Sequence, residues 1–146
     1  MRIVADTNVL YQALRGQGGA SHYILQLVKQ SVVEKAVSVP VFLEYRDVLL
    51  RLKILHDLKI TVEEIETVLR FIAYIAKAAQ IHFLMRSHLR DESDNMVVDL
   101  AFASNSEFIV TNNVRDFQHK AESTFGGFAV VTPSEFVKQW RTHHGD

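Results

Sequence analysis

Arg2-Ile3-Val4-Ala5-Asp6-Thr7-Asn8-Val9-Leu10 is the stretch from which the fold can be read. Behind Arg2, the run Ile3-Val4-Ala5 is short and uninterruptedly apolar, the pattern of a strand buried on both faces. Asp6-Thr7-Asn8 ends it with three polar side chains, and Val9 to Leu14 begins a helix. A buried strand that turns at once into a helix is the start of a βα unit. In open α/β sheets such a unit sets its first polar residues outside the strand's carboxyl end, where these folds bind ligands.

The alternation continues along the chain. Gly16-Gln17-Gly18-Gly19 reads as a flexible loop able to approach a substrate, and Ser21 to Gln30 regains a helical pattern through Ile24, Leu25 and Val28. Lys35 to Val39 reads as a strand. Pro40 then suits the first turn of a helix carrying Leu43, Glu44, Val48, Leu49 and Leu52. Thr61 and Glu64 make a capping box, and Ile65, Val68, Leu69, Ile72 and Ile75 recur at helical spacing, which predicts a helix over 62–79. Ile81 to Leu84 reads as a short strand. The charged loop Arg90-Asp91-Glu92-Ser93-Asp94-Asn95 runs into a helix through Val97, Val98, Ala101 and Phe102, with Asp94 near its N-terminus. Glu107 to Thr111 reads as a buried strand ending at Asn112, Asn113 and, a little later, Asp116. Phe128 to Val131 is a last strand, and Thr132-Pro133-Ser134-Glu135 sets an N-cap, a first-turn proline and a capping glutamate before a last helix. The expected fold is α/β, a mostly parallel central sheet with helices on both faces, as one domain over 1–146.

Composition sets limits on function. With 48% hydrophobic and 23% charged residues, the chain has the balance of a folded globular protein and not of a disordered one. The absence of cysteine excludes disulfides, thiolate metal sites and cysteine nucleophiles, and fits a reducing cytoplasm. No stretch approaches the ~20 apolar residues a bilayer needs, and Asp6 interrupts the N-terminus before any signal-like run, so a cytoplasmic protein without membrane association is expected. A net charge of −1 lacks the footprint of a strong non-specific nucleic-acid binder. A metal nuclease tolerates this balance, because bound cations add positive charge where phosphate docks.

Four places pair an acid or amide with an element end or helix face suited to one crevice: Asp6, Glu44, the Asp91/Asp94 loop and the Asn113/Asp116 turn. If the first and fourth strands are neighbours these groups converge, and several carboxylates at one spot need a counter-charge to stay ionised. All-oxygen ligands select Mg²⁺ or Mn²⁺ over Zn²⁺. Phosphodiester hydrolysis by such ions then requires aspartate and glutamate as the holding residues.

These residues resemble the PIN-domain family. Asp6-Thr7-Asn8-Val9-Leu10 after an Ile-Val strand is similar to the family's opening motif. Asp91-Glu92-Ser93-Asp94-Asn95-Met96, followed by Phe108-Ile109-Val110-Thr111-Asn112-Asn113, is similar to its second half, with Glu44 on the helix between. The likeness covers nearly the whole chain and is greatest to bacterial PIN-domain toxin components of toxin-antitoxin systems. It implies a three-layer fold with about four or five strands, and a Mg²⁺- or Mn²⁺-dependent endoribonuclease acting on RNA. It also implies a homodimer and a cognate antitoxin protein as inhibitor. By position it makes Asp6, Glu44 and Asp94 the catalytic acids and metal ligands, with Thr7, Asn8 and Thr111 as supporting polar groups and Asp91 and Asp99 as reserves. The chain departs from the family at the fourth acid, where Thr111-Asn112-Asn113 stands in place of Thr-Gly-Asp; Asn113 or Asp116 then fills the metal-binding role.

Each residue also has a plainer reading. Asp6 and Asp94 suit helix capping, Glu44 suits a solvated helix face near Arg46 and Asp47, and Asn113 suits a left-handed turn. Arg90 and Arg115 flank acidic motifs and are the candidate RNA-binding cations. The seven histidines show no ligand spacing such as HExxH. A catalytically weakened PIN domain that binds RNA or protein is the second reading. A phosphoacceptor receiver domain is the third, and it lacks here the paired early acids and the lysine after the last strand.

Overall fold

The computed structural model describes residues 1–79, 92–117 and 127–145, with backbone alone at 92–94. Five parallel strands form one sheet in the order β3-β2-β1-β4-β5. They are β1 (Arg2–Ala5), β2 (Glu34–Val37), β3 (Lys77–Ala78), β4 (Phe108–Val110) and β5 (Ala129–Val131). The helices are α1 (Thr7–Arg15), α2 (Ala20–Lys29), α3 (Val39–Leu49), α4 (Leu52–Leu58), α5 (Val62–Ile75), α6 (Glu92–Ala103) and, as α7, Pro133–His144. Residues 114–117 are also helical.

Strand pleating explains the three layers. Successive residues of a strand point to opposite faces, so Val4 and Ile109 enter one apolar core while Ile3, Ala5 and Val110 enter the other. The first core is completed by Tyr45, Leu49, Ile65, Leu69, Ile72 and Val98 from α3, α5 and α6. The second takes Ile24 and Val28 from α2 and Phe136, Val137 and Trp140 from α7. Helix α1 serves both, Leu10 in one core and Val9 in the other. Fully burying each such side chain stabilises the fold by about 1.5–3 kcal/mol, so both faces of the short sheet are held strongly. Among the described residues no helix is long and apolar enough to cross a membrane.

Both capping boxes form. Glu64 N donates to Thr61 Oγ1 at 3.2 Å while Thr61 N donates to Glu64 Oε1 at 3.2 Å. At the start of α7 the matching bonds between Glu135 and Thr132 are 3.1 and 2.8 Å. Pro40 lies in the first turn of α3, behind the Ser38 cap.

Three expected boundaries are corrected. The strand expected over Lys35 to Val39 ends at Val37, because Ser38 caps α3 and Val39 is its first residue. The helix predicted over 62–79 stops at Ile75 because Ala76 turns extended, and Lys77–Ala78 joins the sheet beside β2, with Ala79 N donating to Val37 O at 2.9 Å. The backbone bonds offered by the open edge of β2 outweigh the helix propensity of the alanines there. Leu52 does not continue the Glu44 helix. Arg51 is extended at the break between α3 and α4, which leaves Leu52 84% exposed and turns Leu55 into the core. The predicted strand Ile81–Leu84 lies outside the described residues.

Candidate metal centre at the crossing of β1 and β4

The chain builds β1, β2 and β3 outward in one direction and then returns to place β4 on the other side of β1. The carboxyl ends of β1 and β4 therefore flank the point where the winding reverses, where doubly wound folds open a crevice. Register sets the details: Ala5 pairs with Val110, so the next residues, Asp6 and Thr111, stand side by side at the crest. Asp6 N donates to Val110 O at 3.0 Å and fixes the backbone there.

The Asp6 carboxylate is held from three directions. Oδ1 accepts from Thr7 N at 2.8 Å, and Oδ2 accepts from Thr111 Oγ1 at 2.8 Å and from Asn8 Nδ2 at 3.3 Å. Asp6 does cap α1, as the plainer reading expected. A bond from the fully buried Thr111, 105 residues away, goes beyond what capping requires. Thr111 is fixed in turn, because its Oγ1 accepts from Asn113 N at 3.0 Å. Asn8 extends the network: its Oδ1 accepts from Asn112 N at 3.2 Å, and Asn112 Nδ2 donates to Gln12 Oε1 at 3.2 Å.

Beneath this crest lies a polar pair that sequence reading missed. Tyr45, fully buried, donates its hydroxyl to Ala5 O, and Lys35 Nζ donates to Tyr45 Oη at 2.7 Å. Burial pushes the Lys35 amine down from 10.5 to about 7, and burial together with the charge of Asp6 pushes the Tyr45 phenol up. Tyr45 ties α3 to the end of β1; Glu44, its neighbour in sequence, is half-buried on the same helix. On the same helix Arg46 pairs with Glu66 at 2.7 Å, and Asp47 pairs with Arg51 at 2.8 Å.

The structure brings Asp6, Asn8 and Thr111 together, and Thr7 joins them through its backbone N–H. Asp94 lies in the first turn of α6, which packs on β1, β4 and α3; its side chain, Asp91 and Arg90 fall outside the description. Asp99, the other reserve, is buried on α6. Asn113, Arg115 and Asp116 are exposed on the turn after β4. Asn113 does not have the left-handed backbone its turn reading expected; among described non-glycine residues only Ser31, Lys59 and Asn105 have positive φ. Among the described residues no three His, Cys, Asp or Glu side chains form a metal-sized group. The donor chemistry on hand, carboxylate, amide and hydroxyl oxygens without sulfur, fits a hard divalent cation.

A parallel α/β sheet with a fixed carboxylate at its winding reversal defines the class: a doubly wound protein, of the kind that binds ligands outside the strand ends. Residues 2–115 match the PIN domain family, and the chain belongs to it. PIN domains are generally nucleases that use divalent metal ions. Among solved structures, the crystal structure of VapBC2 from Rickettsia felis bound to a DNA fragment from their promoter shares the fold, with a TM-score of 0.62 and 16% identity over 90% of this chain and 98% of that one. No curated protein matches the sequence.

Proposed function

We propose that this chain is a Mg²⁺- or Mn²⁺-dependent endoribonuclease that hydrolyses RNA phosphodiester bonds as the toxin of a cytoplasmic toxin-antitoxin pair. The observation that carries the reading is the Asp6 carboxylate, locked by Thr111, Asn8 and the Thr7 amide at the meeting of β1 and β4. Asp6, Glu44 and Asp94 would hold the ion, with Asp91, Asn113 and Asp116 as further oxygen ligands. When bound, the ion supplies positive charge for the phosphate and a reactive nucleophile from water at neutral pH. Thr111 and Asn8 keep Asp6 in one orientation, so no reorganisation of that carboxylate accompanies the reaction. Tyr45 bonds the last residue of β1 from α3, which links the strand that ends at Asp6 to the helix that carries Glu44. Arg115 offers a cation for the RNA backbone on the turn after β4, and Arg90 has the same role by its place in the sequence. An antitoxin partner and a homodimer belong to this reading. The neighbouring fold, from a toxin-antitoxin complex, supports the antitoxin.

The test is cleavage of a mixed RNA pool by wild type and Asp6→Asn, each with EDTA, Mg²⁺ and Mn²⁺. Metal-dependent cutting that disappears in the variant is the expected result. The exposed Asn113 at the family's fourth acidic position favours a second reading, a PIN domain that binds RNA or protein with weakened catalysis. Absence of cutting by folded wild type with either ion selects it.

A further inference from the structure

The network that leaves Asp6 through Asn8, Asn112 and Gln12 ends at Ser21, whose Oγ donates to Gln12 Oε1 at 2.6 Å. Gln12, Ser21 and Asn112 form one wall of a recess of ≈ 360 Å³, which also meets Gly19, Ala20 and Ser134. Those last three residues are shared with a larger groove of ≈ 650 Å³ that continues between α2 and α7. A trough therefore runs from Asn112, next to Thr111 at the end of β4, past the Gly16–Gly19 loop into the groove between α2 and α7.

The larger groove has one sign of charge. Lys138 and Arg141 line it together with His22, and among the described residues no acidic side chain does. Neither Lys138 nor Arg141 has an ion-pair partner among the described residues; Arg141 instead lies over the Tyr23 ring, its guanidinium carbon 5.0 Å from the centroid. In a chain of net charge −1, a basic trough leading away from an acid-bearing crest is a local asymmetry. A guanidinium beside an aromatic ring offers a cation and a π face together, the combination that tracks a single strand.

We propose that this trough carries the RNA strand flanking the cut phosphate, with Lys138 and Arg141 on successive phosphates and the Arg141–Tyr23 stack against a base. The inference rests on the nuclease reading and assigns the substrate as an extended single strand gripped on one side of the cut.

Affinity is measured by fluorescence anisotropy of a labelled single-stranded RNA in Ca²⁺, across a salt series, for wild type, Lys138→Ala/Arg141→Ala and Arg70→Ala. Arg70 is an exposed cation of α5, on the opposite face of the sheet, and serves as the control. The double variant is expected to bind about tenfold more weakly and to lose about 1.4 from its salt slope, two single-strand phosphate contacts at ~0.7 each. Arg70→Ala is expected to match wild type. Unchanged affinity and slope in a folded double variant overturn the inference, as does displacement of an acidic peptide but not of RNA by the same substitutions. Hydrolysis of bis(p-nitrophenyl) phosphate with Mn²⁺, a diester too small to reach α7, is followed in parallel. Its loss in wild type counts against the nuclease reading alone, whereas equal rates in wild type and double variant alongside weakened RNA binding support the trough.

Discussion

Replacing Lys35 with methionine removes a buried amine while keeping its length and apolar stem. Lys35 is 2% exposed and lines the same apolar cavity as Ile3, Val9, Leu25 and Val28. Burial lowers its pKa from 10.5 to about 7, which at ~1.36 kcal/mol per pH unit corresponds to about 5 kcal/mol. The sign follows from proton counting. Below pH 7 both folded and unfolded chains carry the ammonium, and the folded protein bears the whole cost. Between pH 7 and 10.5 the folded amine is neutral while the unfolded one is still charged, so stability rises by ~1.4 kcal/mol per pH unit. Above 10.5 the penalty is gone. Methionine never carries it, but gives up the hydrogen bond to Tyr45, about 1 kcal/mol. Lys35→Met is therefore expected to be more stable than wild type by about 4 kcal/mol at pH 7, equal to it near pH 10, and slightly weaker above. Urea denaturation followed through Trp140, the single tryptophan and a buried one, measures this at pH 7, 8.5 and 10. A difference that stays constant with pH, or a destabilised variant at pH 7, would refute the reasoning.

Two further substitutions examine the crest and the last helix. Thr111→Val keeps the shape but removes the hydroxyl that donates to Asp6 and accepts from Asn113. It should lower stability by about 2 kcal/mol in denaturant melts and depress metal-dependent cleavage, while Thr111→Ser restores both. Cleavage by Thr111→Val at the wild-type rate would show that the Asp6 orientation does not depend on this bond. Thr132→Ala breaks the capping box of α7 and should cost about 1 kcal/mol, or roughly 3 °C in Tm, without changing cleavage of short substrates.

Legibility from sequence followed the range of the interactions involved. Helix starts were readable because capping is local: Thr61 with Glu64, Thr132 with Glu135 and Pro40 at the head of α3 each declare themselves within four residues. The Asp6 turn was readable for the same reason, and the doubly wound pattern offered the first and fourth strands as neighbours, as found. Helix ends were less clear, because Ala76 to Ala79 leave α5 for an edge position that exists only once β2 is in place. The Lys35–Tyr45 pair was illegible. A lysine in a short strand reads as a solvated residue, and its burial depends on α1 and α2 closing over it. Gln12 and Asn112 were similarly silent, since neither has meaning before two segments 100 residues apart meet.

That separation has a consequence for synthesis. A ribosome that has released the chain only through α5 has made Asp6 and Glu44 but not β4, so β1 has no partner on that flank and Asp6 has no Thr111 to orient it. Loop closure over about a hundred residues is among the slower steps of folding. A nascent chain therefore carries Asp6 and Glu44 in an unassembled state, and the crest is complete only when the last third of the polypeptide arrives. For a protein whose proposed activity would harm the cell that makes it, late assembly leaves an interval in which a partner can engage the chain before it can cut.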